Sequence, residues 1–232
     1  MKKNLYIVFT REPVPGRTKT RMMPRYSGEE CCQMHQAFLE DIAAMAADTG
    51  SDVMVSYYSE DGEIPTLRRI FGDVPYRPQR GKSLEEKMFH AMKDGFAFGY
   101  QRCVLTGTDI PELQASTIRD AFELLDDSDV VLGPTADGGY YLIGMKKSLR
   151  SPFDIVKCPG ENYIDQTICA VQNAGLQYRL TDSYHDMDYP EDLDGYMARQ
   201  MSEGGAGGGL DKSCTAVFIR NCRKQAGQNG SE

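Results

Sequence analysis

Four cations fall within eleven residues of each other in the segment 11–21 (REPVPGRTKTR): Arg11, Arg17, Lys19 and Arg21. Guanidinium groups match phosphate oxygens two at a time, and a lysine ammonium serves as a point charge. The segment, folded around a Pro-x-Pro-Gly turn, therefore reads as a cradle for a di- or triphosphate, against the plainer reading of a solvated basic loop. It is not the Gly-x-x-x-x-Gly-Lys-Ser/Thr phosphate loop. A second segment, 107–111 (GTDIP), offers Asp109 between a small residue and a proline. A carboxylate so placed can hold Mg2+ or Mn2+ against phosphate oxygens, or can cap a helix. The third segment, 133–144 (GPTADGGYYLIG), contains Asp137-Gly138-Gly139. It reads as a hairpin-like turn, or as a ligand floor where Gly138 and Gly139 allow close backbone approach and Asp137 meets a hydroxyl. In the fourth, 186–192 (DMDYPED), Glu191 and Asp192 suit the start of a helix opened by Pro190. Asp186 and Asp188 precede that helix and are candidates for a second metal ligand. His185 beside them reads as a surface residue. With three histidines in all and no Ser/His/Asp or Cys/His pattern, nucleophilic hydrolysis is disfavoured.

The elements that position these segments follow from hydrophobic periodicity. Residues 5–10 (LYIVFT) read as a buried strand. Ser27 and Glu30 form a capping box opening a helix with an apolar face at Cys31, Met34, Phe38, Ile42 and Met45, ended by Gly50. A strand is expected at 52–59, a turn at Asp61-Gly62, a short helix at 64–71 and an edge strand at 76–79. Ser83 and Glu86 form a second capping box, for a helix carrying Met88, Ala91, Met92 and Phe96. Strands at 103–108, 129–133, 140–145 and 177–180 and helices at 116–125, 163–173 and from Pro190 complete the pattern. Strands alternating with helices predict an α/β fold, a mostly parallel central sheet covered by helices on both faces. In such sheets ligands bind outside the carboxyl ends of the strands, so the four segments can converge.

Composition limits the function classes. The chain has 232 residues, 26 Lys and Arg against 34 Asp and Glu, and a net charge of −8, which argues against an extended nucleic-acid surface. No apolar run reaches the length of a membrane span, and the N-terminal apolar stretch is too short for a signal peptide. Seven cysteines without a Cys-x-x-Cys spacing imply reduced thiols in a cytoplasmic protein rather than a disulfide framework or a thiolate zinc site. Small molecules are the expected partners. The Gly-rich run 204–209 (GGAGGG) divides a folded domain over 1–203 from a flexible tail over 204–232. A short strand is expected at 215–219 within that tail, with disorder from 227.

Taken in order, FTREPVPGRTKTR, GTDIP, GPTADGGYYLIG and DMDYPEDL resemble the motifs of a bacterial family of nucleotide-diphospho-sugar transferases with the GT-A fold, some of them called arsenosugar-biosynthesis-associated glycosyltransferases. The resemblance spans roughly residues 4–200. It implies a single Rossmann-like GT-A domain, similar to the molybdenum-cofactor nucleotidylyltransferases and the phospholactate guanylyltransferase. It also implies that Arg17, Lys19 and Arg21 contact nucleotide phosphates, that Asp109 takes the place of the metal-binding carboxylate and that Asp188 is a second ligand. Thr10, Arg11, Gly16, Thr108, Gly138 and Gly139, within the same motifs, complete the candidate binding set. Two segments depart from the family pattern. In the stretch 79–88, which borders the nucleotide, Glu85 stands for a glycine and Lys87 for an arginine. CPGENY (158–163), on the acceptor side, stands where the family often has Trp-Ser/Thr-Thr.

The expected activity is a metal-dependent glycosyltransferase, with Mg2+ or Mn2+ on the diphosphate of a nucleotide sugar and Asp137 as the first candidate for a catalytic base. The alternatives are a nucleotidylyltransferase acting on an NTP and a non-catalytic nucleotide-binding protein.

Overall fold

A computed structural model describes residues 3–155, 162–203 and 213–229. Seven strands form one sheet: β1 (Asn4–Arg11), β2 (Asp52–Tyr58), β3 (Tyr76–Pro78), β4 (Arg102–Thr106), β5 (Val130–Pro134), β6 (Tyr140–Met145) and β7 (Tyr178–Leu180). Their spatial order is β3-β2-β1-β4-β6-β5-β7. Only β6 runs against the rest, paired antiparallel with β4 and β5, while the other neighbours are parallel. The fold is a Rossmann-like α/β domain with a mostly parallel sheet, as the alternation of elements predicts.

The helices are α1 (Gly28–Ala47), α2 (Pro65–Phe71), α3 (Leu84–Ala97), α4 (Ala115–Leu124), α5 (Tyr163–Asn173), α6 (Pro190–Glu203) and α7 (Cys214–Asn229). The central strand β1 is apolar on both faces because both are covered. Its Tyr6 and Val8 join Leu39 and Ile42 of α1, Leu67 of α2 and Ile118 of α4. Its Leu5 and Ile7 join Met88 and Met92 of α3 and Ile164 and Val171 of α5. Each such aliphatic side chain contributes about 1.5–3 kcal/mol on burial. A third core lies behind α1, where Met34 and Phe38 meet Met187, Leu193, Tyr196, Ala216 and Ile219.

Local signals place most helix starts. Ser27 and Glu30 make the full reciprocal capping box at α1. At α3 only half of the expected box forms: the Ser83 hydroxyl accepts from Glu86 N–H at 3.2 Å, but the Glu86 carboxylate turns to the Lys82 N–H at 2.7 Å. The short strand expected at 215–219 is instead part of α7. The reason is a cap supplied from a distance. The Asp41 carboxylate of α1 accepts the N–H groups of Cys214 (2.7 Å) and Thr215 (2.9 Å), satisfying donors that a helix start leaves orphaned. Ala216 and Ile219 are thereby buried against α1. Thus part of the stretch 204–232 read as a tail packs onto the domain. Among the described residues no helix is long and apolar enough to cross a membrane, and the described cysteines are free thiols.

Because β6 alone is reversed, the loops after β1, β4, β5 and β7 all emerge at one end of the sheet. Those loops carry the four segments with candidate chemistry.

Candidate active-site cleft at the carboxyl end of the sheet

A cleft of about 700 Å³ opens at this end. Five cations line it, Arg11, Arg17, Lys19, Arg21 and Lys87, with three carboxylates, Asp109, Asp186 and Asp188. The first loop is held in shape before it reaches the cleft. Buried Glu12 accepts from the N–H groups of Thr66 (2.8 Å) and Leu67 (3.2 Å), capping α2. Gly16 has φ +73°, and a Cβ on Gly28 would come within 2.9 Å of its nitrogen. Gly16 is thus the turn that lets the loop lie on the start of α1, and it is not among the residues lining the cleft.

Lys19 is the only non-glycine residue with positive φ among those described (φ 48°, ψ 39°), a conformation that costs on the order of 1–3 kcal/mol and persists only when surroundings enforce it. The surroundings are explicit. Its Nζ pairs with Asp109 Oδ1 at 2.5 Å, donates to the Met187 carbonyl at 2.7 Å, lies 3.9 Å from Asp188 Oδ1 and sits 4.9 Å from the centre of the Phe38 ring. The Lys19 side chain is 6% exposed. Arg21 donates to the other oxygen of Asp188 at 2.5 Å and is 62% exposed. Arg17 pairs with Glu60 at 2.9 Å. Arg11 donates to the Arg17 carbonyl at 2.8 Å. Arg11 and Lys87 both lie near the Tyr58 ring, 5.5 and 5.1 Å from its centre.

Beneath the ion pairs runs a chain of hydroxyls centred on His35. His35 is 3% exposed. Its Nδ1 meets Thr18 Oγ1 at 2.7 Å and its Nε2 meets Thr10 Oγ1 at 3.4 Å, which in turn meets Thr108 Oγ1 at 3.1 Å. Burial drives the imidazole pKa down to about 3, so it is neutral. Thr10 and Thr108 line the cleft, with their hydroxyls committed to this chain. The sequence reading overlooked His35, although its spacing from Cys31 and Phe38 puts it on the apolar face of α1.

The carboxylates are not equivalent. Burial raises the Asp109 pKa, but the charge and hydrogen bond of Lys19 more than reverse it, leaving it below the ordinary range. Asp109 is not a helix cap, since α4 begins after Gln114. Its carbonyl instead accepts from Met187 N–H at 2.9 Å, joining the loop after β4 to that after β7. Asp186 is pushed up to about 6, by burial first and then by Asp137, Asp188 and Asp109. Asp137 is held below the usual range by the Thr135 hydroxyl at 2.5 Å, with the Gly139 N–H at 3.0 Å helping. Asp137, Gly138 and Gly139 border the cleft without lining it. A Cβ on Gly138 would strike Asn162 at 2.7 Å. Asp192 caps α6, accepting from the N–H groups of Asp188 (2.9 Å) and Tyr189 (2.6 Å); His185 is exposed.

Of the divergent segments, Lys87 faces the cleft, while Glu85 accepts from the Tyr163 hydroxyl at 3.0 Å. Residues 158–161 of the acceptor-side segment lie outside the described residues. Gln79 is fixed in the cleft wall, its amide nitrogen donating to the carbonyls of Thr10 (2.9 Å) and Ser56 (3.2 Å).

Asp109 and Asp188, expected as ligands of a divalent metal, have hard oxygens of the right kind. As arranged, however, they close on Lys19 and Arg21. No three Asp, Glu, His or Cys side chains among the described residues are disposed to hold a metal ion. The pair in this geometry does not fit one.

The family described as "Uncharacterized protein conserved in bacteria (DUF2064)" matches residues 41–158, just over half of the chain. The chain belongs to this family. Among solved structures, the chain is similar to a protein of Desulfovibrio desulfuricans G20 provisionally named a nucleotide-diphospho-sugar transferase. The two share 25% identity over 98% of each chain, with a TM-score of 0.85. Two more distant likenesses concern the fold alone. One is CMP:2-keto-3-deoxy-manno-octonic acid synthetase complexed with CTP (11% identity, 87% of this chain and 100% of that one, TM-score 0.58). The other is a Mycobacterium tuberculosis H37Rv protein in complex with manganese (12% identity, 84% of this chain and 98% of that one, TM-score 0.51). No curated relative matches the chain.

Proposed function

We propose that the cleft binds a nucleotide-diphospho-sugar and transfers the sugar to a small-molecule acceptor. The observation that carries this reading is the convergence of Arg11, Arg17, Lys19 and Arg21 on one cleft at the carboxyl end of the sheet. The D. desulfuricans relative, similar over 98% of its length, supports it through its name. In this reading the diphosphate lies along the first loop. As the bond between sugar and phosphate oxygen breaks, negative charge grows on the departing nucleoside diphosphate, and it is neutralised by Lys19 from a fixed position in the floor, with Arg17 and Arg21 adding charge from the exposed rim. Gln79 spends both amide protons on backbone carbonyls, so its oxygen offers the nucleobase a pre-oriented acceptor. Asp137, oriented by Thr135 and Gly139, positions the acceptor hydroxyl and takes its proton.

A nucleotidylyltransferase is the second reading, favoured by the number of cations, which suits a triphosphate as well as a diphosphate. Product identity separates the two: one reaction releases a nucleoside diphosphate, the other pyrophosphate. The first experiment is a thermal-shift panel of UDP-, GDP-, ADP- and dTDP-sugars beside the matching NTPs, with wild type and Asp109→Ala. Saturation at 100 times Kd adds about 2.7 kcal/mol of stability. A shift with one nucleotide sugar and not its NTP is the expected result, weakened in Asp109→Ala because Lys19 loses the partner that holds it in place. A shift with an NTP alone moves the assignment to nucleotidyl transfer, and no shift with any ligand overturns both.

A further inference from the structure

The contacts of Lys19 go beyond those of a loose phosphate-binding lysine. An ammonium carries three protons, and two oxygens lie within hydrogen-bond distance of this one, Asp109 Oδ1 at 2.5 Å and the Met187 carbonyl at 2.7 Å, with the Asp188 carboxylate a looser ionic neighbour at 3.9 Å. The Phe38 ring lies against it at 4.9 Å. The second Asp188 oxygen is taken by Arg21. The position is also braced from behind, because Met187 N–H bonds the Asp109 carbonyl while Met187 carbonyl oxygen bonds Lys19. With its stem buried, the ammonium cannot withdraw without giving up all of these contacts.

A small divalent ion needs near-octahedral oxygen coordination at roughly 2.0–2.6 Å. To use Asp109 and Asp188 together it would have to occupy the point where the ammonium sits, or lie next to a like charge.

We infer that Lys19 is the resident cation of this carboxylate pair, filling the position that the resemblance gives to a metal, so that the pair is closed to divalent ions. The consequence for the reaction, which rests on the transferase reading, is that phosphates are bound by fixed ammonium and guanidinium groups and binding survives chelation.

The test uses Mn2+ alone as probe, followed by its electron paramagnetic resonance signal in titrations of the full chain, so no nucleotide enters. Wild type is compared with Asp109→Asn, Lys19→Met and the double variant Lys19→Met/Asp109→Asn, each checked for its fold by circular dichroism. Wild type and Asp109→Asn are expected to give the same weak, non-specific titration. Lys19→Met is expected to bind one Mn2+ at least about tenfold more tightly, since a like charge is gone, and the double variant to lose that gain. Mn2+ binding by wild type that Asp109→Asn abolishes would overturn the inference, whether or not Lys19→Met folds. A folded Lys19→Met with no gain in Mn2+ binding would overturn it as well. Failure of the transferase reading shows separately, as the absence of any nucleotide-dependent thermal shift.

Discussion

His35 and Asp186 place opposite demands on the protons of this fold. His35 is held neutral by burial, with its pKa lowered to about 3, against an ordinary value near 6.5. Between those values the unfolded chain binds a proton that the folded chain refuses, so stability falls as pH drops from 6.5 toward 3. The loss from this group is on the order of 4 kcal/mol. Denaturant unfolding at pH 7 and pH 4 checks it: in His35→Gln the difference between the two pH values should shrink by a large part of that amount. An unchanged difference would mean that the imidazole is protonated in the fold. Asp186 has the reverse sign. Its pKa is raised to about 6, so its ionised form is disfavoured in the folded chain. Stability is reduced above pH 6 and recovered as the carboxyl protonates. Asp186→Asn should therefore raise stability at pH 8 by about 1–2 kcal/mol, and the gain should vanish near pH 4. Equal effects at both pH values would show that the change acts through packing instead. Asp137 is the weaker base of the two, since Thr135 and Gly139 hold its pKa down. A pH profile of turnover in wild type and Asp137→Asn decides whether its carboxylate takes a proton or only shapes the turn; as the base, its loss lowers turnover by about 100- to 10,000-fold.

At the scale of elements, what could be read in the sequence was what depends on near neighbours. The capping box of α1 was legible because Ser27 and Glu30 are three residues apart and the geometry of a helix start brings them together. The same spacing at Ser83 and Glu86 was only half right, because the Lys82 N–H lies within reach and competes for the carboxylate. Helix α7 was not legible. Its cap comes from Asp41, 173 positions away from Cys214, and without that cap the run of Thr215 to Ile219, rich in β-branched residues, has strand character. Asp41→Ala should cost about 1 kcal/mol and, more tellingly, should remove hydrogen-exchange protection from the first turn of α7 while leaving β1 and β4 protected. Protection unchanged at Cys214 and Thr215 would refute the cap. In the site, the four segments were legible as local clusters of charge and glycine. The pairing of Lys19 with Asp109 and Met187 was not, since it needs the register of loops after three different strands. Nor was the removal of Gly16 and Gly138 from the cleft, which is decided by the close approach of Gly28 and Asn162.

The alternation of strands and helices was enough to give a mostly parallel sheet, and with it the end at which ligands bind. The same sheet arranges the charge of the whole molecule. The chain is acidic overall, at −8, yet five cations and three carboxylates meet in one cleft. A locally positive cleft in a negative body focuses field lines on its mouth and draws anions from a distance. The cations divide by position into two roles. Arg17 is 65% exposed on the rim, its guanidinium paired with Glu60, while Lys19 is 6% exposed in the floor. A rim charge acts on the approach of a ligand, and a buried one on its departure. With the nucleotide sugar selected by the thermal-shift panel, stopped-flow binding should show the association rate falling several-fold as salt rises from roughly 0.05 to 0.3 M, since the screening length shrinks from about 14 to about 6 Å. Arg17→Gln should lower the association rate and flatten that salt dependence, with dissociation changed less than about twofold. Lys19→Met should instead speed dissociation by about tenfold or more, through loss of a buried charge-assisted contact worth about 1.5–3 kcal/mol. Equal effects of the two substitutions on both rates would refute a division of labour between rim and floor, and the cleft would then act as one undifferentiated patch of charge.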